Sequence, residues 1–398
     1  MRRNWFIVLG KKQRFRSSHP LLFPHNIERG GIFMGNYRVY VYAICKNERA
    51  FAARWMQSMR EADGVYVLDT GSTDGTPEAL TELGAQVTCE EITPWRFDTA
   101  RNRSLELVPA DADICVCTDL DEYFTPGWRE QVESAWAEGA QQLRYPYVWS
   151  FNADGSEGTF FYADKMHARQ GFEWIHPVHE VLHYTGGGEA QRALCQDMRL
   201  DHPDAQKSRA QYLPLLELAV QEAPQDDRSL HYLGREYLFH QRWNDCIATL
   251  KRHLALPSAT WRDERCASMR YIARAYGARG NAYEQECYLL RAAGEAPHLR
   301  EPWLDLARMY YARQNWPGVA YACERALQIA DRPRTYMTEP ESFGALPWDL
   351  LSIACYQLEQ YPRAAQAARE ALRLAPQDAR IAENVRLMEE KVECGAEE

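Results

Sequence analysis

The sequence lacks the features that mark several common classes of protein. Its eleven cysteines form no CxxC pair and are odd in number, whereas zinc–thiolate sites and secreted disulfide frameworks need paired spacings. No apolar run approaches the roughly 18 residues of a membrane-spanning helix. An excess of positive charge is also absent, because the net charge is −10, and this argues against nucleic acid as a partner. We therefore expect reduced thiols in a cytoplasmic protein.

The composition is that of a folded protein with more than one domain. Of the 398 residues, 46% are hydrophobic and 12% aromatic, which is unlike a disordered chain. Residues 1–33 differ, with seven basic residues against the single acid Glu28. We interpret them as an extension outside the native fold, or alternatively as a tail that binds peripherally at the inner face of a membrane. The predicted domains are 1–33, 34–207 and 208–398.

Between residues 37 and 148, short apolar runs alternate with helical stretches. This alternation predicts an α/β domain with a mainly parallel sheet. Ligands of such sheets bind at the carboxyl ends of the strands. The predicted strands are 37–45, 64–68, 86–89 and 113–118, and the predicted helices are 50–60, 77–83 and 98–107.

After about residue 208 the pattern is helical throughout and a repeat is visible. Four copies place a small residue four positions after a large apolar one, at Gly234, Ala273, Ala307 and Ser352, with spacings of 39, 34 and 45. Such a residue lets two helices approach closely. The run from about 225 to 380 resembles the tetratricopeptide family, which implies a concave surface for peptide partners or a homodimer. An ordinary helical bundle is the alternative.

Four polar segments follow the predicted strands or open the next helix. They are Lys46–Glu48, Asp69–Thr76 (DTGSTDGT), Asp98–Asn102 and Asp119–Glu122 (DLDE). One edge of a parallel sheet can gather them into a single cleft. Taken alone, Asp69–Thr76 is equally well a turn whose polar residues cap a helix.

Asp119 and Asp121 are two positions apart after an apolar run, so their side chains share one face of a strand. Two carboxylates beside bound phosphates suit Mg²⁺ or Mn²⁺, because hard cations prefer oxygen ligands. Such an ion would neutralise a diphosphate leaving group. Isolated acidic pairs of this kind are usually solvated loop residues, so the position after a strand is what gives this pair weight.

Together these segments resemble the family 2 glycosyltransferases over residues 37–185. The resemblance implies a nucleotide-diphospho-sugar transferase (GT-A) fold, a UDP-sugar as the expected donor, and Mn²⁺ or Mg²⁺ held by Asp119 and Asp121. Thr70 stands where many members have a second Asp. The donor-binding residues that the resemblance implies are Lys46, Asn47, Glu48, Asp69, Thr70, Ser72, Asp74, Arg101, Asn102 and Asp119.

A further segment, Trp174–Glu180 (WIHPVHE), is similar to the VHE element of members that modify lipopolysaccharide cores or peptides. By this resemblance His179 is a third metal ligand, and Glu180 or His176 lies near the acceptor. A buried, hydrogen-bonded histidine is the alternative for His179. The family's usual catalytic base has no clean counterpart here, so we expect Glu180 in that role, with Asp154 as the alternative.

The expected activity is metal-dependent, inverting sugar transfer to a peptide, a protein or a cell-surface glycan. The added repeats make the chain similar to sublancin-type peptide glycosyltransferases. The alternating aromatics Tyr145, Tyr147, Trp149 and Phe151 either floor a sugar or peptide groove or form a buried strand face. A helical scaffold with a degenerate sheet domain is the alternative function. A nucleotidyltransferase is disfavoured because the first strand ends without a glycine-rich phosphate loop.

Overall fold

The structure is a computed structural model that describes residues 37–136, 139–152, 155–196, 198–202 and 211–394. These residues belong to one compact unit, which extends from Asn36 to Glu398. The predicted extension 1–33 and the alternative base Asp154 lie outside the described residues.

The first half of the described chain is a mixed sheet with mostly parallel strands in its first part, as predicted. The strands are β1 (Val39–Cys45), β2 (Gly64–Asp69), β3 (Gln86–Cys89), β4 (Ile114–Cys117), β5 (Tyr123–Phe124), β6 (Gln142–Val148), β7 (Phe160–Ala168), β8 (Phe172–Ile175), β9 (Val181–Tyr184), β10 (Arg192–Leu194) and β11 (Leu200–Asp201). Within the described ranges, the large sheet has the order β3-β2-β1-β4-β7-β6-β11-β5, with β10 beside β6, while β8 and β9 form a separate hairpin.

The register of the parallel strands brings the predicted polar segments to one edge. Cys45 of β1 lies opposite Asp69 of β2, and Tyr42 of β1 lies opposite Cys117 of β4. The segments that follow β1 and β2 therefore begin at the same height, and β4 ends three residues before the end of β1, at the same edge. β4 is buried along its whole length, as its apolar sequence predicts for a strand covered on both faces.

Four helices accompany the sheet: α1 (Arg49–Met59), α2 (Thr76–Glu82), α3 (Phe97–Glu106) and α4 (Trp128–Ala135). Their apolar residues recur at helical spacing, and in α1 the buried residues are Ala52, Trp55, Met56 and Met59. This spacing places one apolar stripe against the sheet. The core of this half lies between β1, β2, β4, β6 and these helices.

The second half is entirely helical in the described residues. Its helices are α5 (Tyr212–Glu222), α6 (Asp227–Phe239), α7 (Trp243–Ala255), α8 (Arg262–Ala278), α9 (Ala282–Glu295), α10 (Glu301–Ala312), α11 (Trp316–Leu327), α12 (Leu346–Gln357), α13 (Tyr361–Leu374) and α14 (Ala379–Cys394). Each helix packs on the next, and the pairs α6–α7, α8–α9, α10–α11 and α12–α13 form the four predicted repeats. None of the described helices is both long and apolar enough to cross a membrane.

The small residues of the repeat lie at the closest helix contacts. Ala273, Ala307 and Ser352 are fully buried. A Cβ added at Gly234 would lie 2.3 Å from the Leu250 side chain on the next helix. The packing reason for the repeat pattern is therefore present in the fold.

The connection between α11 and α12 reaches back to the sheet. It contains a short 3₁₀ helix (Pro340–Phe343). Arg334 donates a hydrogen bond to the Tyr162 hydroxyl at 3.1 Å, and the Tyr336 ring packs edge-on against Phe161. Because of these contacts, the longest repeat spacing corresponds to an insertion that touches the sheet domain.

Candidate active site

The loops after β1 and β2 are hydrogen-bonded to each other. The Asn47 N–H donates to Ser72 Oγ at 2.8 Å, and Asn47 Oδ1 accepts from the Thr73 N–H at 2.8 Å. The Glu48 N–H donates to Thr76 Oγ1 at 2.9 Å. Asn47 adopts a left-handed backbone with φ 57°, which asparagine tolerates better than most residues. The two predicted donor loops thus form one polar surface, beside which Lys46 is exposed.

The predicted nucleotide-binding acids in the second loop also shape that loop. Asp69 is 2% exposed, and its Oδ1 accepts the N–H groups of Gly71 and Ser72 at 3.0 and 2.9 Å. Thr70 is buried, and its hydroxyl donates to the Cys45 carbonyl. Asp74 is exposed and accepts from the Thr76 N–H, as a residue that opens α2 should.

Arg101 connects the third and fourth segments. Its guanidinium, on a side chain that is only 4% exposed, donates to Asp119 Oδ1 and to Glu180 Oε1, both at 2.7 Å. Burial lowers the pKa of Arg101, but the charges of Asp119, Cys117 and Glu180 raise it well above its ordinary value. Arg101 therefore stays charged and joins α3, the end of β4 and the start of β9.

Asn102, the partner of Arg101 in the predicted pair, anchors a strand. Its amide donates to the Trp174 carbonyl at 2.8 Å, and its Oδ1 accepts the Trp174 N–H at 2.7 Å. Both polar groups are therefore used to hold β8 against α3, so the structure gives Asn102 a positioning role toward the WIHPVHE segment.

The DLDE turn is tied together by its own Glu122, by Tyr147 and by Lys165, which sequence reasoning missed. Glu122 is 1% exposed, and its carboxylate accepts from the Asp119 N–H at 3.0 Å and from the Tyr147 hydroxyl at 2.7 Å. Lys165 Nζ lies 3.0 Å from Glu122 and 3.4 Å from Asp119. Lys165 is on β7, which reaches β4 only through antiparallel pairing, so chain spacing gave no signal for it.

Asp121 faces a histidine that the sequence analysis also missed. Asp121 is 1% exposed, and its Oδ2 lies 3.3 Å from His202 Nε2. His202 Nδ1 is 3.1 Å from the Trp149 carbonyl. Although burial lowers the pKa of His202, the hydrogen bond to Asp121 and its charge raise it above the ordinary value. The only local signal was a polar residue directly after the short strand β11.

The His179 and Glu180 side chains of the WIHPVHE segment contact different parts of the molecule. His176 and His179 have left-handed backbones, with φ 77° and 52°. The His179 ring stacks on Tyr232 of α6, with centroids 4.0 Å apart, and Pro177 accepts the Phe97 N–H. Glu180 points instead to Arg101. The contacts described for His179 are thus with the helical domain, whereas Glu180 joins the acidic cluster.

The aromatic run divides at the end of β6. Tyr145 and Tyr147 are buried in the sheet core, whereas Trp149 is 48% and Phe151 36% exposed. Trp149 stacks on the His202 ring, with centroids 4.3 Å apart and nearly parallel planes. Tyr145 and Tyr147 therefore form a buried strand face. Trp149 and Phe151 form an exposed aromatic surface, in which Trp149 stacks on the histidine that faces Asp121.

Comparison with known proteins concerns both halves. The solved structures to which the chain is similar include MamA, at 15% identity, covering 42% of this chain and 89% of that chain with a TM-score of 0.35. They also include a thermophilic TPR protein of Thermus thermophilus, at 19% identity, covering 44% of this chain and 88% of that chain with a TM-score of 0.33. A TPR repeat-containing protein of Synechococcus elongatus is 31% identical over 115 residues, which are 29% of this chain and 26% of that protein. The chain thus spans about a quarter of this relative's length.

The sheet half matches a family model directly. The model described as Glycosyl transferase family 2 covers residues 40–173. That range contains the loops after β1 and β2, the α3 pair and the DLDE turn, while Glu180 and His202 follow it. Residues 40–173 of this chain are therefore a glycosyl transferase family 2 domain, and a tetratricopeptide-like helical region follows it.

Proposed function

We propose that the chain is an inverting glycosyltransferase that moves a sugar from a nucleotide-diphospho-sugar, with UDP as the expected nucleotide, and that depends on Mn²⁺ or Mg²⁺. The observation that carries the proposal is the pairing of Arg101 with both Asp119 and Glu180, together with the Asp121–His202 pair on the same DLDE turn. The family 2 model over residues 40–173 supports the general activity. Donor, metal and acceptor belong to the proposal.

The charges and ligand types of the cluster suit a divalent cation. The cluster contains four carboxylates and two side chains that are always positively charged. The carboxylates are those of Asp119, Asp121, Glu122 and Glu180, and the positive charges are those of Arg101 and Lys165. Two neighbouring octahedral ligands at about 2.1 Å from an ion are about 3 Å apart, close to the 3.3 Å between Asp121 and His202.

We assign Asp121, His202 and Asp119 as the residues that would hold the ion. Bound there, it would neutralise the departing diphosphate. His202 is included because its Nε2 lies 3.3 Å from Asp121, and a metal-binding role of His179, whose ring stacks on Tyr232, stays a prediction. Lys46, Asn47, Glu48, Asp69, Thr70, Ser72 and Asp74 form the proposed donor surface.

The proposed chemical step needs a base on the acceptor side. Glu180 is our assignment, because its carboxylate is 13% exposed and is fixed by Arg101 at 2.7 Å. The carboxylate takes the proton of the acceptor nucleophile, which bonds to the anomeric carbon as the bond to the diphosphate oxygen breaks. Arg101 acts as a positioning residue here, since its guanidinium is buried and already engaged by two carboxylates.

The acceptor surface that we propose begins at Trp149 and Phe151. Exposed aromatic rings beside a sugar-transfer centre can stack on a sugar or a peptide side chain. Trp149 is held by ring stacking against His202, which faces Asp121, so an acceptor on the Trp149 ring would lie on the His202 side of the site. A peptide or a cell-surface glycan fits this surface, and a homodimer through the repeats stays a prediction.

One observation favours the alternative of a non-catalytic scaffold. Asp119 already has Arg101 and Lys165 within 2.7 and 3.4 Å, so the carboxylate is neutralised without an ion. A thermal-shift screen of UDP-, GDP- and dTDP-sugars, each with and without Mn²⁺, separates the two functions. At 100 times its Kd a donor adds about 2.7 kcal/mol of stability. A rise with one donor that requires Mn²⁺ supports the enzyme, and no rise with any donor supports the scaffold.

A further inference from the structure

A second cluster of metal-ligand side chains lies inside the helical domain. His231 of α6, His253 of α7 and Glu264 of α8 are all buried, and one ligand atom of each lies within 4.8 Å of the other two. Both histidines are 0% exposed and Glu264 is 6% exposed. We propose that these three residues bind a divalent transition-metal ion, with Zn²⁺ as the ion that the ligand set fits best.

Ser268 orients both imidazole rings. Its Oγ lies 2.8 Å from His231 Nδ1 and 3.0 Å from His253 Nδ1. A hydroxyl oxygen has two lone pairs and can accept from two N–H groups. With both protons on Nδ1, both Nε2 atoms present lone pairs. This is the arrangement of metal-bound histidines, whose second nitrogen donates to a fixed polar group.

The two Nε2 atoms are the ones that need a partner. Neither His231 Nε2 nor His253 Nε2 forms a hydrogen bond among the described residues, although both are fully buried and the Glu264 carboxylate lies 3.3 Å from His253 Nε2. A buried polar atom without a partner costs free energy. A bound cation would satisfy both atoms at once.

The distances favour a tetrahedral ion. His253 Nε2 lies 3.3 Å from Glu264 Oε1. Two ligands at about 2.0–2.1 Å from a tetrahedral Zn²⁺ are about 3.4 Å apart, so this pair is already spaced for one ion. The ligand atom of His231 lies within 4.8 Å of the other two. Two histidines and one carboxylate are an established zinc ligand set that leaves a fourth position for water.

The surrounding charges set a limit on the ion's affinity. Arg228 and Arg235 both lie over the Tyr232 ring, 4.9 and 4.5 Å from its centroid, and their charges oppose a cation nearby. Burial lowers the pKa of His231 well below its ordinary value, and Arg235 lowers it further.

The ion would join three helices at the start of the repeat region. α6, α7 and α8 form the first repeat and the beginning of the second, and Tyr232, next to His231, stacks on His179 of the sheet domain. An ion at the proposed site would thus fix the repeat nearest the sheet. Its role is independent of sugar transfer.

The test uses the full chain carrying Asp121→Asn, so that the proposed active-site cation is weakened. After chelation and removal of metal, equilibrium dialysis against Zn²⁺ should give one ion per chain. His231→Gln and His253→Gln should each lower the affinity at least tenfold, whereas the exposed His240→Gln on the same stretch should not change it. No bound Zn²⁺, or equal affinity in all variants, would overturn the proposal.

Two further measurements still test the proposal if a histidine variant does not fold. X-ray absorption of the Zn²⁺-loaded Asp121→Asn chain should show two imidazole nitrogens at about 2.0–2.1 Å. Ser268→Ala leaves all three ligands in place and should weaken binding about 10–100-fold through loss of orientation. An absorption spectrum with no imidazole shell would assign the cluster to a histidine–glutamate hydrogen-bond chain instead, and unchanged affinity in Ser268→Ala would contradict the orienting role of Ser268.

Discussion

Replacing Arg101 with alanine should destabilise the chain far more than replacing Arg103, two residues further along α3. The Arg101 side chain is 4% exposed and pairs with two carboxylates, Asp119 and Glu180. Removing one partner of a buried ion pair costs about 3–5 kcal/mol, because the charge that remains has lost its compensation. Lys165 still lies 3.4 Å from Asp119, so we expect the lower end of that range, about 3 kcal/mol.

Arg103 is the matched control because it also pairs with two carboxylates. Its side chain is 38% exposed, and its partners Glu90 and Glu106 are 39% and 65% exposed. Exposed pairs of this kind contribute little to stability, so Arg103→Ala should barely change the free energy of unfolding. Arg101→Lys should fall between the two, since one ammonium group cannot reproduce the fork geometry of the guanidinium.

Urea unfolding followed by tryptophan fluorescence measures both variants, and the chain carries 12 tryptophans. The comparison is made at neutral pH and with an unchanged slope against urea, so that the midpoint reports stability. Equal midpoints for Arg101→Ala and Arg103→Ala would refute the reasoning, because the buried pairs would then hold the site no better than exposed ones.

Three other predictions concern separate parts of the chain. His202→Gln should lower Mn²⁺ affinity, measured by titration calorimetry, at least tenfold while the circular dichroism spectrum is kept; unchanged affinity would remove His202 from the metal site. Gly234→Ala should destabilise by about 1–3 kcal/mol through overpacking, whereas Gly294→Ala, where an added Cβ meets no atom within 4 Å, should stabilise by about 0.5–1 kcal/mol; urea midpoints that shift in the same direction would contradict the packing argument. Burial lowers the pKa of His167 to about 4, and the unfolded chain takes up this proton near pH 6.5, so stability present above about pH 6.5 is lost as the pH falls to about 4, by about 3 kcal/mol. His167→Gln should remove that part of the slope in urea unfolding at several pH values, and parallel curves would show that His167 does not contribute.

The sequence was informative where function follows directly from strand ends. The segments after β1, β2 and β4 were predicted to meet because parallel strands deliver their carboxyl ends to one edge. The pairing of Cys45 with Asp69 aligns the ends of β1 and β2 in this way. The repeat was visible because close helix packing restricts Gly234 and Ala273 to small side chains, whatever the partner helix contributes.

The sequence pattern gave no comparable signal for residues that reach the site on antiparallel strands or on strands near the end of the sheet domain. Lys165 arrives on β7 and His202 directly after β11, and both depend on long-range pairing with β4 and β6. His179 shows the opposite difficulty. Its motif suggested the metal, but Tyr232 and Tyr212, far along the chain, provide the ring contacts that the structure describes. A local sequence motif carries no information about contact partners that lie so far along the chain.

The most direct test of the central claim is the release of nucleoside diphosphate from the UDP-sugar that raises the unfolding midpoint, with and without Mn²⁺. The unmodified chain and Asp111→Asn, an exposed acid on the same domain, should release it only with Mn²⁺. Asp121→Asn should lose at least 100-fold in rate with its fold intact. Equal rates in Asp121→Asn and the unmodified chain, or full release after chelation of all metal, would contradict the account.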